Sequence, residues 1–196
     1  MKWVIVFAAL ATGWVGAAVA APIPLTLAQM APEARAEALD AEFTRLRLAD
    51  KHMTALEAER EIWRLWFIGA DEDQTTRLND ASERMRLGAS VEAIPMLEAL
   101  VAEHPDFTEA WNQLAFARFL TGDLEGSLED IAEVLKREPR HFGALAGRAR
   151  IEVAQGRPQR AMRTMGEVGA IHPWMARVSP IQPIPAPPPP AEGQDL

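Results

Sequence analysis

An all-α solenoid of stacked helix–turn–helix units is the fold this sequence predicts, and three observations predict it. Gly88, Gly122 and Gly156 are spaced by 34 residues, and so are Pro105, Pro139 and Pro173. Small residues keep the same interval in two further columns, Ala81, Ala115, Ala149 and Ala93, Ser127, Ala161. Apolar residues recur in register as Ile94, Leu128, Met162; Leu97, Ile131, Met165; and Leu100, Val134, Val168. Several independent columns at one period are the mark of a repeat architecture. With 48% hydrophobic and 24% charged residues among 196, the chain can bury a core.

Residues 1–20 read as an export signal. Lys2 is the first charge and the next is Glu33, an apolar run begins at Trp3, and Ala18-Val19-Ala20 offers a small-x-small cleavage site before Ala21. The alternative is an uncleaved anchor over residues 3–21, which carry no charge. Residues 32–70 predict a helical hairpin. Pro32 and Glu33 suit a helix start, and the second arm ends in a dense apolar block, "EIWRLWF". Ile62, Trp63, Trp66 and Phe67 are too many to leave in water, so the hairpin is expected to cap the first repeat, as solenoid ends require.

Three units follow, 74–107, 108–141 and 142–175. The first helix of each should stop at its Gly, which takes the left-handed conformation without a Cβ clash. The second should end one residue before Pro, because the pre-proline position disfavours helix. Its apolar face recurs at helical spacing, as in Leu124, Leu128, Ile131 and Leu135. Pro95, about one turn inside its helix, predicts a bend or a late start there. Residues 176–196 form a proline-rich tail with seven prolines between 180 and 190, expected to be extended and without a core.

A 34-residue unit with Gly in its middle and Pro near its end resembles the tetratricopeptide repeat (TPR). The middle unit carries the fullest match, with Trp111, Leu114, Ala115, Gly122, Ser127, Ile131 and Pro139. The outer units depart from it: Asp80 and Arg148 stand in place of Leu114, and Arg77 in place of Trp111. The aromatic block ahead of the repeats is similar to that of short exported bacterial repeat proteins. Members of the family usually add a closing amphipathic helix, which the prolines after Trp174 are expected to forbid. The resemblance implies a protein-binding scaffold with its first helices lining a concave groove. The carboxylate clamp of chaperone-binding relatives is unmatched, since Leu78, Ser82, Gly143 and Gly147 stand at its positions.

On the middle first helix, Trp111, Leu114, Ala115 and Arg118 form a packing stripe, while Asn112, Phe116 and Phe119 form a second about 100° away. Leu78, Ser82 and Met85 stand beside it on one neighbour, and Ala146, Arg150 and Val153 on the other. The candidate peptide groove is therefore Leu78, Ser82, Met85, Asn112, Phe116, Phe119, Arg150 and Val153, with Asn112 and Arg150 as polar anchors. The chain's own hairpin or tail is the competing occupant.

Enzyme chemistry finds no footing. There is no GxSxG, P-loop, HExxH or dinucleotide fingerprint, and the absence of cysteine excludes disulfides and thiolate sites. His52, His104, His141 and His172 fall in turns or helix ends, without the convergence a metal needs. "DED" at 71–73 reads as a helix start with Asp73 as cap. Glu129, Asp130 and Glu133 read as a solvated face. No cofactor is expected, and a net charge of −8 argues against nucleic acid. The first two units each carry −3 and the third +3, a polarity that suits an acidic partner or a homodimer. The sequence thus reads as an exported, periplasmic interaction module, or in its anchored form as an inner-membrane organiser of an envelope complex.

Overall fold

The structure is a computed structural model, and residues 30–68 and 71–178 are described, with side chains to 175. The signal and polyproline readings lie outside them. The described residues form nine α-helices and no strand. They are α1 (Pro32–Leu48), α2 (His52–Phe67), α3 (Glu72–Arg86), α4 (Ser90–Glu103), α5 (Thr108–Thr121), α6 (Leu124–Arg137), α7 (Phe142–Ala154), α8 (Pro158–Ile171) and α9 (Pro173–Val178). From α3 to α8 each helix packs on the next, giving three helix–turn–helix units in sequence.

The repeated residues mark the ends of these helices. Gly88, Gly122 and Gly156 have φ of 82°, 87° and 71°, the left-handed turns that close α3, α5 and α7. His104, Glu138 and His172 precede the three prolines and leave the helical region, with φ near −130°. Asp71 caps α3 by accepting from the Gln74 N–H at 2.9 Å. The expected cap, Asp73, lies inside the helix as a first-turn acid instead. Pro95 sits within α4, yet that helix already starts at Ser90, so there is no late start.

The two small-residue columns meet where paired helices cross. Ala81, Ala115 and Ala149 are buried, as are Ala93, Ser127 and Ala161, and the Ser127 hydroxyl donates to the Ala115 carbonyl at 2.8 Å. A larger side chain at any of them would separate two backbones.

One expectation fails. The hairpin α1–α2 does not dock on the first unit as an end cap. Its ring contacts run to the junction of the second and third units: Trp66 stacks on His141 at 4.0 Å and 14°, Trp63 stands edge-on to Phe142 at 5.4 Å, and Phe43 meets Phe142 at 6.4 Å. Polar contacts repeat the pattern: Arg140 pairs with Asp40 at 2.6 Å, and His172 Nε2 lies 3.2 Å from Glu59 Oε2. The reason is local: Phe142 and Gly143 offer a large apolar ring beside a residue with no side chain, and Trp63 fits the gap. The chain adds one short helix after the third unit, α9, which ends at Val178, ahead of the first proline of the tail, Pro180. Pro173 occupies a first helical position, where its missing N–H costs nothing. The Met175 N–H bonds to His172 Nδ1 at 3.1 Å, and Trp174 Nε1 donates to the Ala49 carbonyl at 3.2 Å.

Candidate functional site

The first helices α3, α5 and α7 bring the candidate groove residues into three rungs. Leu78, Asn112 and Ala146 form the rung nearest the helix N-termini; Ser82, Phe116 and Arg150 the next; Met85, Phe119 and Val153 the last. The rungs follow from the 34-residue interval, which places equivalent residues side by side on stacked units.

The hairpin reaches the N-terminal part of this face. Gly143, Ala146, Gly147 and Arg150 share one side of α7 at spacings of three and four. A Cβ on Gly143 would lie 2.5 Å from Trp63 Cη2, so α2 is seated directly on the first turn of that stripe. Leu78 and Asn112 are buried, which corrects their placing on an open groove. Asn112 serves a buried network instead. Its Nδ2 donates to Glu109 Oε1 at 2.9 Å, and Gln113 Nε2 donates to the same oxygen at 2.7 Å. Glu109 Oε2 is 3.1 Å from His141 Nε2. His141 Nδ1 accepts the Ala144 N–H at 3.1 Å, so its proton sits on Nε2 and points at Glu109.

Glu109 and His141 are fully buried, and the sequence reading missed both as interior residues. The available signal was that His141 immediately precedes a helix, where a side-chain acceptor caps free N–H groups. Asp130 was also misplaced. It is buried rather than solvated, and both its oxygens accept from Arg118 Nη1 at 2.8 Å.

The second and third rungs differ from the first. Ser82, Phe116, Phe119, Arg150 and Val153 are half-buried, and Met85 is buried, which corrects its placing on an open groove. Phe116 packs against both apolar clusters of the molecule and Phe119 against one. Arg150 has its pKa pushed down to about 10 by burial. Ser82 Oγ is turned back to the Leu78 carbonyl at 2.8 Å.

Comparison with known proteins agrees with this architecture. The chain is 30% identical over 146 residues to a TPR repeat-containing protein of Rhizobium etli, covering 74% of this chain and 70% of that one. It is 35% identical over 78 residues to the cellulose synthase 1 operon protein C of Komagataeibacter xylinus, covering 40% of this chain and 6% of that much longer protein. No protein-family model matches, and no solved structure matches. The 34-residue register, the left-handed glycines, the paired small-residue columns and the similarity over most of both chains converge. This chain belongs to the tetratricopeptide-repeat family, whose helical arrays are modules for protein–protein interaction.

Proposed function

We propose that this protein is an exported, non-catalytic scaffold of the cell envelope that holds an extended peptide or a partner helix on the C-terminal half of its concave face. One observation carries the reading. Phe116 and Phe119 on α5 and Val153 on α7 are half-buried, and Val153 lies well past the first turn of α7, where Trp63 is seated. A concave apolar strip with a few polar groups is what peptide-binding surfaces require. The charge-free run after Lys2 and the Ala18-Val19-Ala20 site support export, and in a Gram-negative cell the compartment of such a protein is the periplasm.

The test uses Phe119→Glu, because Phe119 touches one apolar cluster whereas Phe116 bridges two. The variant should melt within a few degrees of wild type. It should lose the protein that wild type captures from the envelope fraction, since an aromatic anchor contributes on the order of 2 kcal/mol. Unfolding of the variant would make this strip core and remove the groove. N-terminal sequencing of the exported protein should start at Ala21; Met1 in a membrane pellet would favour the anchored form.

A further inference from the structure

Four tryptophans fall among the described residues, and only the two on α2 lack an acceptor for the indole N–H. Trp111 Nε1 donates to the Pro105 carbonyl at 2.9 Å, and Trp174 Nε1 to the Ala49 carbonyl at 3.2 Å. Trp63 Nε1 and Trp66 Nε1 have no partner among the described residues, although each side chain is more than nine-tenths buried. Asn112 Oδ1 is also buried without a donor. Its residue belongs to the network that ends on His141, the ring against which Trp66 stacks. Three unmet polar atoms thus gather where the hairpin meets the repeats. A polar group taken from water without a partner costs free energy, and a return to water recovers it.

The polar links that hold the hairpin down are of one kind. Arg140 lies over the Phe43 ring at 4.3 Å and pairs with Asp40, His172 faces Glu59, and Trp174 reaches the Ala49 carbonyl. Each runs through a side chain. No backbone–backbone hydrogen bond joins residues 32–68 to the repeats among the described residues. Within the hairpin, α1 and α2 pack along each other, Arg45 pairs with Glu57, and Arg35 Nη1 donates to the Ile68 carbonyl. The hairpin coheres internally and meets the array through rings and a few polar side chains, the condition for a segment that opens by itself.

We propose that α1–α2 is a strap that opens as one unit while the three repeats stay folded. Opening returns both indole N–H groups to water. It also frees two surfaces at once, the rings of Phe43, Trp63 and Trp66 and the first turn of α7 at Gly143. Phenylalanine at these places would bury a ring with no donor to leave unmet, so indoles suit a surface that also stands in water. Whatever binds either surface holds the strap open, because it binds one state and not the other. The strap is independent of the proposed groove.

The test is hydrogen exchange of the full chain, purified as the cell leaves it and read peptide by peptide in a mass spectrometer. Amides of α1 and α2 should exchange together, at least about tenfold faster than those of α5 and α6. Gly143→Ala drives a Cβ against Trp63 and should speed α1 and α2 by about tenfold more, while α3–α6 keep their wild-type rates. Asp40→Lys serves should that variant fail to fold, since Asp40 is exposed and the change sets a second cation against Arg140. It should speed the same two helices about threefold, and no others. Hairpin amides protected as strongly as those of α5 and α6 would overturn the strap, because opening would then require the whole molecule to unfold. So would a variant that speeds α3–α6 as much as α1 and α2.

Discussion

Asp130 shows how burial and pairing compete at a single residue. Its side chain is withdrawn from water, which pushes its pKa up to about 6, and the Arg118 guanidinium offsets that rise only in part. An unfolded aspartate titrates near 3.9 (approximate). The folded state therefore takes up a proton in a range where the unfolded state does not. The resulting stability is fully present below about pH 4 and is lost as pH rises through about 6. Asp130→Asn removes this titration and keeps the shape. The melting temperature of wild type minus that of Asp130→Asn should be largest near pH 4 and level off above about 7. A difference that grew with pH would mean that the ion pair favours the charged form. Its burial was not legible from sequence, because an acidic run on an amphipathic helix reads as solvated until the partner arginine, on another helix, is in place. Glu109 and His141 were hidden for the same reason, 32 residues apart in sequence and 3.1 Å apart in space.

Between helices, the energetic detail is the crossing of α5 and α6. Ala115 and Ser127 are both fully buried there, and Ser127 fastens the pair through the Ala115 carbonyl. Ala115→Leu should cost roughly 1–3 kcal/mol by overpacking. Ala117, on sequence grounds outside that contact column, is equally buried in the larger cluster and makes no control. Ala132, exposed on α6, does: Ala132→Leu should stay within about 0.5 kcal/mol of wild type. Thermal melts of the two variants decide it, and equal shifts would break the register. The same interval explains the weaker outer units. Arg77 replaces the tryptophan with an exposed pair to Glu103 at 2.7 Å. Trp111 by contrast bonds the Pro105 carbonyl at 2.9 Å and lies under the Arg137 guanidinium at 5.2 Å.

On the scale of the whole molecule, the hairpin is a clasp from the front of the chain to its third unit. Trp63, Trp66, Phe43, His141 and Phe142 form one aromatic knot, with His172 against Phe142 at 5.0 Å. Gly143 makes room for it. Gly143→Ala should destabilise despite its better helix propensity, because the new Cβ meets a tryptophan ring already held edge-on by its neighbours. Gly166→Ala, in the open on α8, should instead stabilise by up to about 1 kcal/mol. Opposite signs in the two melting shifts support the clasp; a gain at both would mean that Trp63 is not seated on α7. No described helix is long and apolar enough to cross a membrane.

The repeat, the helix ends and the helix pairing were legible from the residues alone. These depend on interactions within a few residues of chain: a left-handed glycine, a pre-proline stop, small residues at a fixed interval. The same interval sets Phe116 and Arg150 at equivalent positions of α5 and α7, with Phe119 one turn further along α5. Where the hairpin lies, and that Leu78 and Asn112 are buried, came from tertiary packing. Those outcomes depend on which surfaces meet across 70 to 110 residues of chain. A hydrophobic block states that it must be covered, and its shape against Phe142 and Gly143 states by what.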